Sequence, residues 1–261
     1  MSRSRCLPQL SRAGNGQRGE KRRRVMSTPF SKNPGDVPCA AAAAVLLLAP
    51  LLSDTVLNAY ITFTVSHPFS SGFVKFALLS TFGEALAQRA LRGQYLPAGF
   101  GLVPRAVIWG LLGLCITMAF TVFSAGVPQL LAQAGLEWAP GALAGSLGLH
   151  KLLTAFAVSV AMNVMFAPAL MVAHKIGDLH LAAYNGSLSC LVHSPRVGEL
   201  LASVNWQVMW RVVLVRSLLF FWIPVHTVTF LLPSAFRVLF AALLGACLGL
   251  ILAWAGSRGR A

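Results

Sequence analysis

Residues 72–91 read GFVKFALLSTFGEALAQRAL, and their pattern decides how the rest of the chain is read. Glu84 is the acidic residue of this apolar stretch, and it carries a polar stripe with it. Ser80, Thr81, Glu84, Gln88 and Arg92 recur at three- and four-residue steps, so a helix places them on one face. A helix crossing lipid tolerates an ionisable residue poorly and turns it toward a bundle interior or a water-filled path. The stretch therefore predicts a membrane helix with a polar interior face.

Composition agrees. Hydrophobic residues make up 56% of the 261 and charged residues only 11%, against about a quarter charged in an ordinary soluble domain. The charge is uneven. Residues 1–38 are rich in Arg, Ser, Gly and Pro, and include the run Lys21-Arg22-Arg23-Arg24. Such a head cannot bury a core and is expected to be disordered. It resembles an organelle-targeting segment. A tail held by the positive-inside rule or by anionic lipid is the alternative, and Met26 offers a second possible start. No nucleic-acid role is expected from so short a basic run.

Beyond the head, 39–53 holds a short apolar helix (CAAAAAVLLLAPLL at 39–52), too short to cross and broken near Pro50. Residues 54–255 supply the membrane helix bundle and 256–261 a short tail. The crossing candidates are Gly72–Leu91, Leu102–Val127, Leu143–Ala173 and Ser234–Trp254. Val212–Leu232 is either a further crossing or a partly embedded helix. The expected fold is an all-α integral membrane protein, a bundle of about four transmembrane helices plus interfacial helices. Arg89, Arg92 and Arg105 crowd one connector and Lys175 and Arg196 another, which places the two connectors on the same side.

The ordered set Tyr60, Pro68, Gly83-Glu84 and Gln88 resembles the opening signature of the Mpv/PMP family of peroxisomal and mitochondrial inner-membrane proteins, with Glu84 where that family has Asp. Arg105 and Gly110 are similar to the pair leading into its second crossing, and Phe166-Ala167-Pro168 to the Ala-Pro of its third. Asn205-Trp206, Trp222, Phe230, Pro233 and Arg237 resemble its closing pattern. The chain departs from that pattern at Cys115-Ile116 and Met162-Asn163, so it resembles a divergent member. The resemblance implies a weakly selective channel or pore for small solutes in an organelle membrane, mitochondrial inner membrane favoured and peroxisomal membrane as alternative. Its partners would be the lipid bilayer, small solutes, and further copies or other membrane proteins.

Ser80, Thr81, Glu84, Gln88, Arg92 and Asn163 are the pore-lining candidates. Glu84 either lines an aqueous path or pairs internally with Arg105, Arg211 or Arg237. A non-conducting scaffold that maintains the organelle membrane is the other reading, since small-residue faces and internal ion pairs suffice for it. A lipid-modifying enzyme is the third. No nucleophile elbow, phosphate loop or dinucleotide fingerprint supports catalysis. His174 and Asp178 have metal-compatible spacing if helical. Gly177 between them is expected to start a loop, leaving a solvated helix end. No catalytic residue, metal or cofactor is expected. Cys6, Cys39, Cys115, Cys190 and Cys247 are isolated and show no disulfide framework.

Overall fold

The computed structural model describes residues 34–41, 44 and 52–258, and they are helical with no strand among them. The residues before 34 lie outside the described part, so the reading of the head as a targeting segment is not addressed there. Within the described part, 36–41 is helical. Asp36 accepts from Arg89 Nε and Nη2, both at 2.8 Å. Asp36 thus has a cationic partner in Arg89 of the bundle. The expected apolar helix at 39–53 lies mostly outside the described residues.

Helix α1, Asp54–Ser66, starts where Ser53 caps the Val56 amide and Asp54 meets the positive helix end. It stops at His67 because Pro68 disfavours the helical region for the residue before it. Pro68 then opens α2, Pro68–Arg92, at a position where its missing N–H costs nothing. Gly93 closes α2 in the left-handed conformation at φ 74°. Helix α3, Leu102–Gln133, has 32 residues, about 48 Å at 1.5 Å per residue against roughly 30 Å of hydrocarbon.

Helices α4, Leu149–Met165, and α5, Ala167–Ala183, meet at a 47° bend. Pro168 explains the break, because its ring clashes with the carbonyl four residues back and it donates no hydrogen bond. The connector after α5 holds a 3₁₀ turn, Leu188–Leu191, and a short helix α6, Val197–Ala202. Helix α7, Trp206–Leu231, is wide-wound (π) over Met209–Arg216 and Leu218–Trp222. The winding resumes as an ordinary α-helix at Ile223, beside Pro224. Leu232 is extended before Pro233, and α8, Ser234–Arg258, follows.

Two helices are long and apolar enough to cross a membrane, α3 and α7, and a third if α4 and α5 form one bent span. That is consistent with a membrane protein. The expected set of crossings differs at α2 and takes one of its two alternatives at Val212–Leu232. Helix α2 is long enough but shares its turns among Lys75, Glu84 and Arg89, which dilute its hydropathy. Val212–Leu232 is no fragment but part of the continuous α7, so the ambiguous segment is one of the two clear candidates. Helix α8, expected as the clean span, runs 25 residues, Ser234–Arg258, and holds the apolar stretch Ser234–Cys247.

The core lies among α2, α3, α4, α7 and α8, where Phe76, Ile116, Phe120, Val158, Met162, Phe230 and Ala242 pack together. Small residues let the backbones approach. A Cβ on Gly113 would sit 2.6 Å from the Gly72 carbonyl oxygen, and one on Gly83 would sit 2.5 Å from Ala246 Cα. Large apolar side chains face outward on the long helices, among them Leu111 and Val122 of α3 and Phe220 of α7. Lipid would cover such a face, whereas water would not tolerate so continuous a patch.

Candidate functional site

Four side chains from two neighbouring helices converge on Glu84 of α2. Arg105 and Trp109 lie one turn apart on α3, and His174 and Asp178 one turn apart on α5, so each pair shares a helical face. Arg105 Nη1 donates to Glu84 Oε2 and, at 3.0 Å, to Asp178 Oδ1. Trp109 Nε1 donates to Glu84 Oε1 at 2.7 Å. His174 Nε2 stands 3.5 Å from Glu84 Oε1 and 3.7 Å from Asp178 Oδ2. Its ring packs on Trp109 with centroids 4.4 Å apart. The guanidinium is steadied by the Phe100 carbonyl, 3.2 Å from Nε, and by the Phe100 ring beneath it.

Of the three arginines expected as partners for Glu84, Arg105 is the one that reaches it. Arg211 is exposed on α7, and Arg237 donates to the Leu232 carbonyl. The expectation that Gly177 starts a loop is wrong. The helix continues to Ala183, and Gly177 is where α5 presses on α3, since a Cβ there would meet Ile108 Cγ2 at 3.0 Å. His174 and Asp178 therefore face the bundle and are not a solvated end. Their carboxylate and imidazole atoms, with those of Glu84, lie within 4.8 Å of one another, a spacing that three metal ligands also have. Arg105 already bridges both carboxylates, so the positive charge that a metal would bring is supplied by the protein itself.

The rest of the expected stripe divides. Ser80 and Thr81 are buried beside Glu84 on α2, with Gly245 of α8 opposite Ser80. Ser80 Oγ, Thr81 Oγ1 and Gln88 Oε1 are buried and have no hydrogen-bond partner among the described residues. Arg92 is exposed at the end of α2 and lies outside the path. Asn163 also leaves the group. It is fully buried, and its Nδ2 donates to the Ser159 carbonyl at 2.8 Å and lies 3.1 Å from His226 Nδ1 of α7, tying α4 to α7.

The family-pattern residues hold the helices. Tyr60 Oη donates to the Ala235 carbonyl at 2.8 Å and its ring stacks on Phe236, joining α1 to α8. Gly110 lies against the Phe73 ring. Trp206 Nε1 donates to the Leu201 carbonyl at 3.0 Å. Trp222 packs on His226, and Phe230 is wholly buried. The connectors expected on one side do meet. Gly101 and Gly186, both at positive φ, touch so closely that a Cβ on Gly101 would lie 2.7 Å from Gly186 Cα. His180 Nε2 donates to the Cys190 and His193 carbonyls at 3.0 and 3.1 Å, folding the second connector back on α5.

Sequence reading missed Trp109 and the return of α5 to Glu84. The available signal was the four-residue step from Arg105 to Trp109 and from His174 to Asp178. No protein-family model, curated protein or solved structure matches the chain.

Proposed function

We propose that the protein is a bundle of four membrane crossings, α2, α3, α7 and α8, or five with the bent pair, that passes small solutes along the polar face of α2. One observation carries this reading: three buried oxygens on α2, on Ser80, Thr81 and Gln88, lack a protein partner among the described residues. Buried polar atoms are paired in nine cases of ten or more, and water or a passing solute is the natural partner where protein offers none. The likeness of Tyr60, Pro68, Gly83-Glu84 and Gln88 to the Mpv/PMP pattern supports an organelle membrane, the mitochondrial inner membrane first and the peroxisomal membrane second.

A specific observation favours the second reading, a non-conducting scaffold. Glu84 spends its charge on Arg105 and its remaining oxygen on Trp109, which locks α2 to α3 and needs no conduit. Current through planar bilayers holding purified protein separates the two. Wild type is expected to show discrete openings whose conductance falls in Thr81→Val and Ser80→Ala, substitutions that leave the ion pairs untouched. A silent bilayer, with folded protein verified, sinks the conduit and leaves the scaffold.

A further inference from the structure

At the end of the bundle where α1 turns into α2 and α7 into α8, a cavity of about 220 Å³ is lined by Thr64, Lys75, Thr121, Ser124, Ser234 and Arg237, among others. Two cations thus share one small space, Lys75 at 8% and Arg237 at 9% exposure. Neither forms an ion pair among the described residues, and none of the residues lining the cavity is acidic. Arg89, equally buried at the other end of α2, is met by Asp36, and Arg105 by Glu84 and Asp178. The bundle pairs its other inward cations and leaves these two together without a carboxylate.

Their protein contacts hold them in place but leave donors to spare. Lys75 Nζ donates to Thr64 Oγ1 at 2.9 Å and stands 4.5 Å from the centre of the Tyr60 ring. An ammonium has three donors, so two are unspent. Arg237 gives Nε to the Leu232 carbonyl at 3.0 Å, and its Nη amines donate to no described residue. Thr117, Thr121 and Ser124 turn their hydroxyl protons to backbone carbonyls of α3, so the two cations supply the charged donors that remain. Ser234 and Ala235, the first residues of α8, bring the positive end of a 25-residue helix to the same cavity.

A buried charge without a counter-charge is costly, and two of like sign lining one cavity are costlier still. We infer that this cavity is an anion site, in which Lys75 and Arg237 together bind a small oxyanion, a phosphate or phosphate-like group. The planar guanidinium fork suits two oxygens of such a group, while the ammonium supplies a point charge. The space exceeds the roughly 30 Å³ share of one water several-fold. A free phosphate and the phosphate of an anionic lipid headgroup present the same chemistry at this end of the bundle. The inference does not depend on conduction, because binding is read directly.

The test uses the full chain, purified in detergent and stripped of lipid. One arm follows its thermal midpoint as inorganic phosphate is titrated, with chloride held constant. The other records native mass spectra after exposure to phosphatidylglycerol or phosphatidylcholine. Saturable stabilisation by phosphate identifies a free oxyanion, and retention of phosphatidylglycerol over phosphatidylcholine identifies a headgroup. Lys75→Met should weaken either by roughly 10- to 100-fold, the loss of one charge-assisted hydrogen bond. In phosphate-free buffer it should be no less stable than wild type, since it removes an unpaired buried charge. Should Lys75→Met not accumulate, Arg237→Lys decides, since it keeps the charge and removes the fork. Absence of both effects in wild type, or undiminished binding in the variant, overturns the site.

Discussion

Removing Arg105 should cost far more than neutralising Glu84, although the two are partners. Arg105 bridges Glu84 and Asp178, so Arg105→Met leaves two carboxylates facing each other with His174 alone between them. Breaking a buried pair from one side costs about 3–5 kcal/mol. The side chains are 16% and 24% exposed, which places the loss at the lower end, about 3 kcal/mol. Glu84→Gln keeps an acceptor for Trp109 and leaves Arg105 with Asp178, so it should cost about 1 kcal/mol, one hydrogen bond weakened from charged to neutral. In the double variant the repulsion is gone, and the combined loss should fall short of the sum by about 1–2 kcal/mol. Denaturation of the four proteins in mixed detergent micelles, followed by circular dichroism, measures the cycle. Equal losses that add within about 0.5 kcal/mol would show that the cluster is not coupled and that Arg105 does not bridge the two acids.

The remaining predictions concern packing and the end of α2. Gly113→Ala places a methyl 2.6 Å from the Gly72 carbonyl oxygen and should destabilise by about 1–3 kcal/mol. Gly126→Ala, on the same helix with nothing within 4 Å, should be neutral or stabilising by up to about 1 kcal/mol. Comparable midpoints for the two variants would refute the close approach of α2 and α3. In the loop after α2, burial first and then the Asp36 carboxylate, 2.8 Å from Tyr95 Oη, push the Tyr95 phenol up to about 12. Because the folded state holds that proton more tightly than the unfolded chain, this contribution is whole below about pH 10 and is lost as pH rises through about 12. Tyr95→Phe should remove the phenolate absorbance that appears near pH 12 and flatten stability across that window. A titration curve identical to wild type's would refute the Asp36–Tyr95 contact.

Local chemistry in the chain carried a good part of the fold. Pro68, Pro168 and Pro233 mark helix starts or breaks because a proline's geometry acts on its immediate neighbours, and each stands at such a boundary. The stripe at Ser80, Thr81, Glu84 and Gln88 was legible for the same reason: the helical period sets a face without reference to the rest of the molecule. Gly177 misled because a glycine inside a helix and one that ends it look alike in sequence. The difference is the Ile108 side chain of another helix. Arg92 was grouped with the stripe by its period and Asn163 by its residue type. Period does not say where along a helix the bundle ends, and type does not say which interface a residue faces.

The sequence by itself determined that the chain is helical and apolar, where its prolines divide it, and that Glu84 sits on a polar face. Only the tertiary structure chose Arg105 over Arg211 and Arg237 as the partner of Glu84, and closed His174 and Asp178 around them. Only it placed Lys75 and Arg237, remote in sequence, in one cavity without a carboxylate. The physical reason is that periodicity orients a residue about its own helix axis, whereas ion pairing and shared burial depend on which helices pack and at what depth.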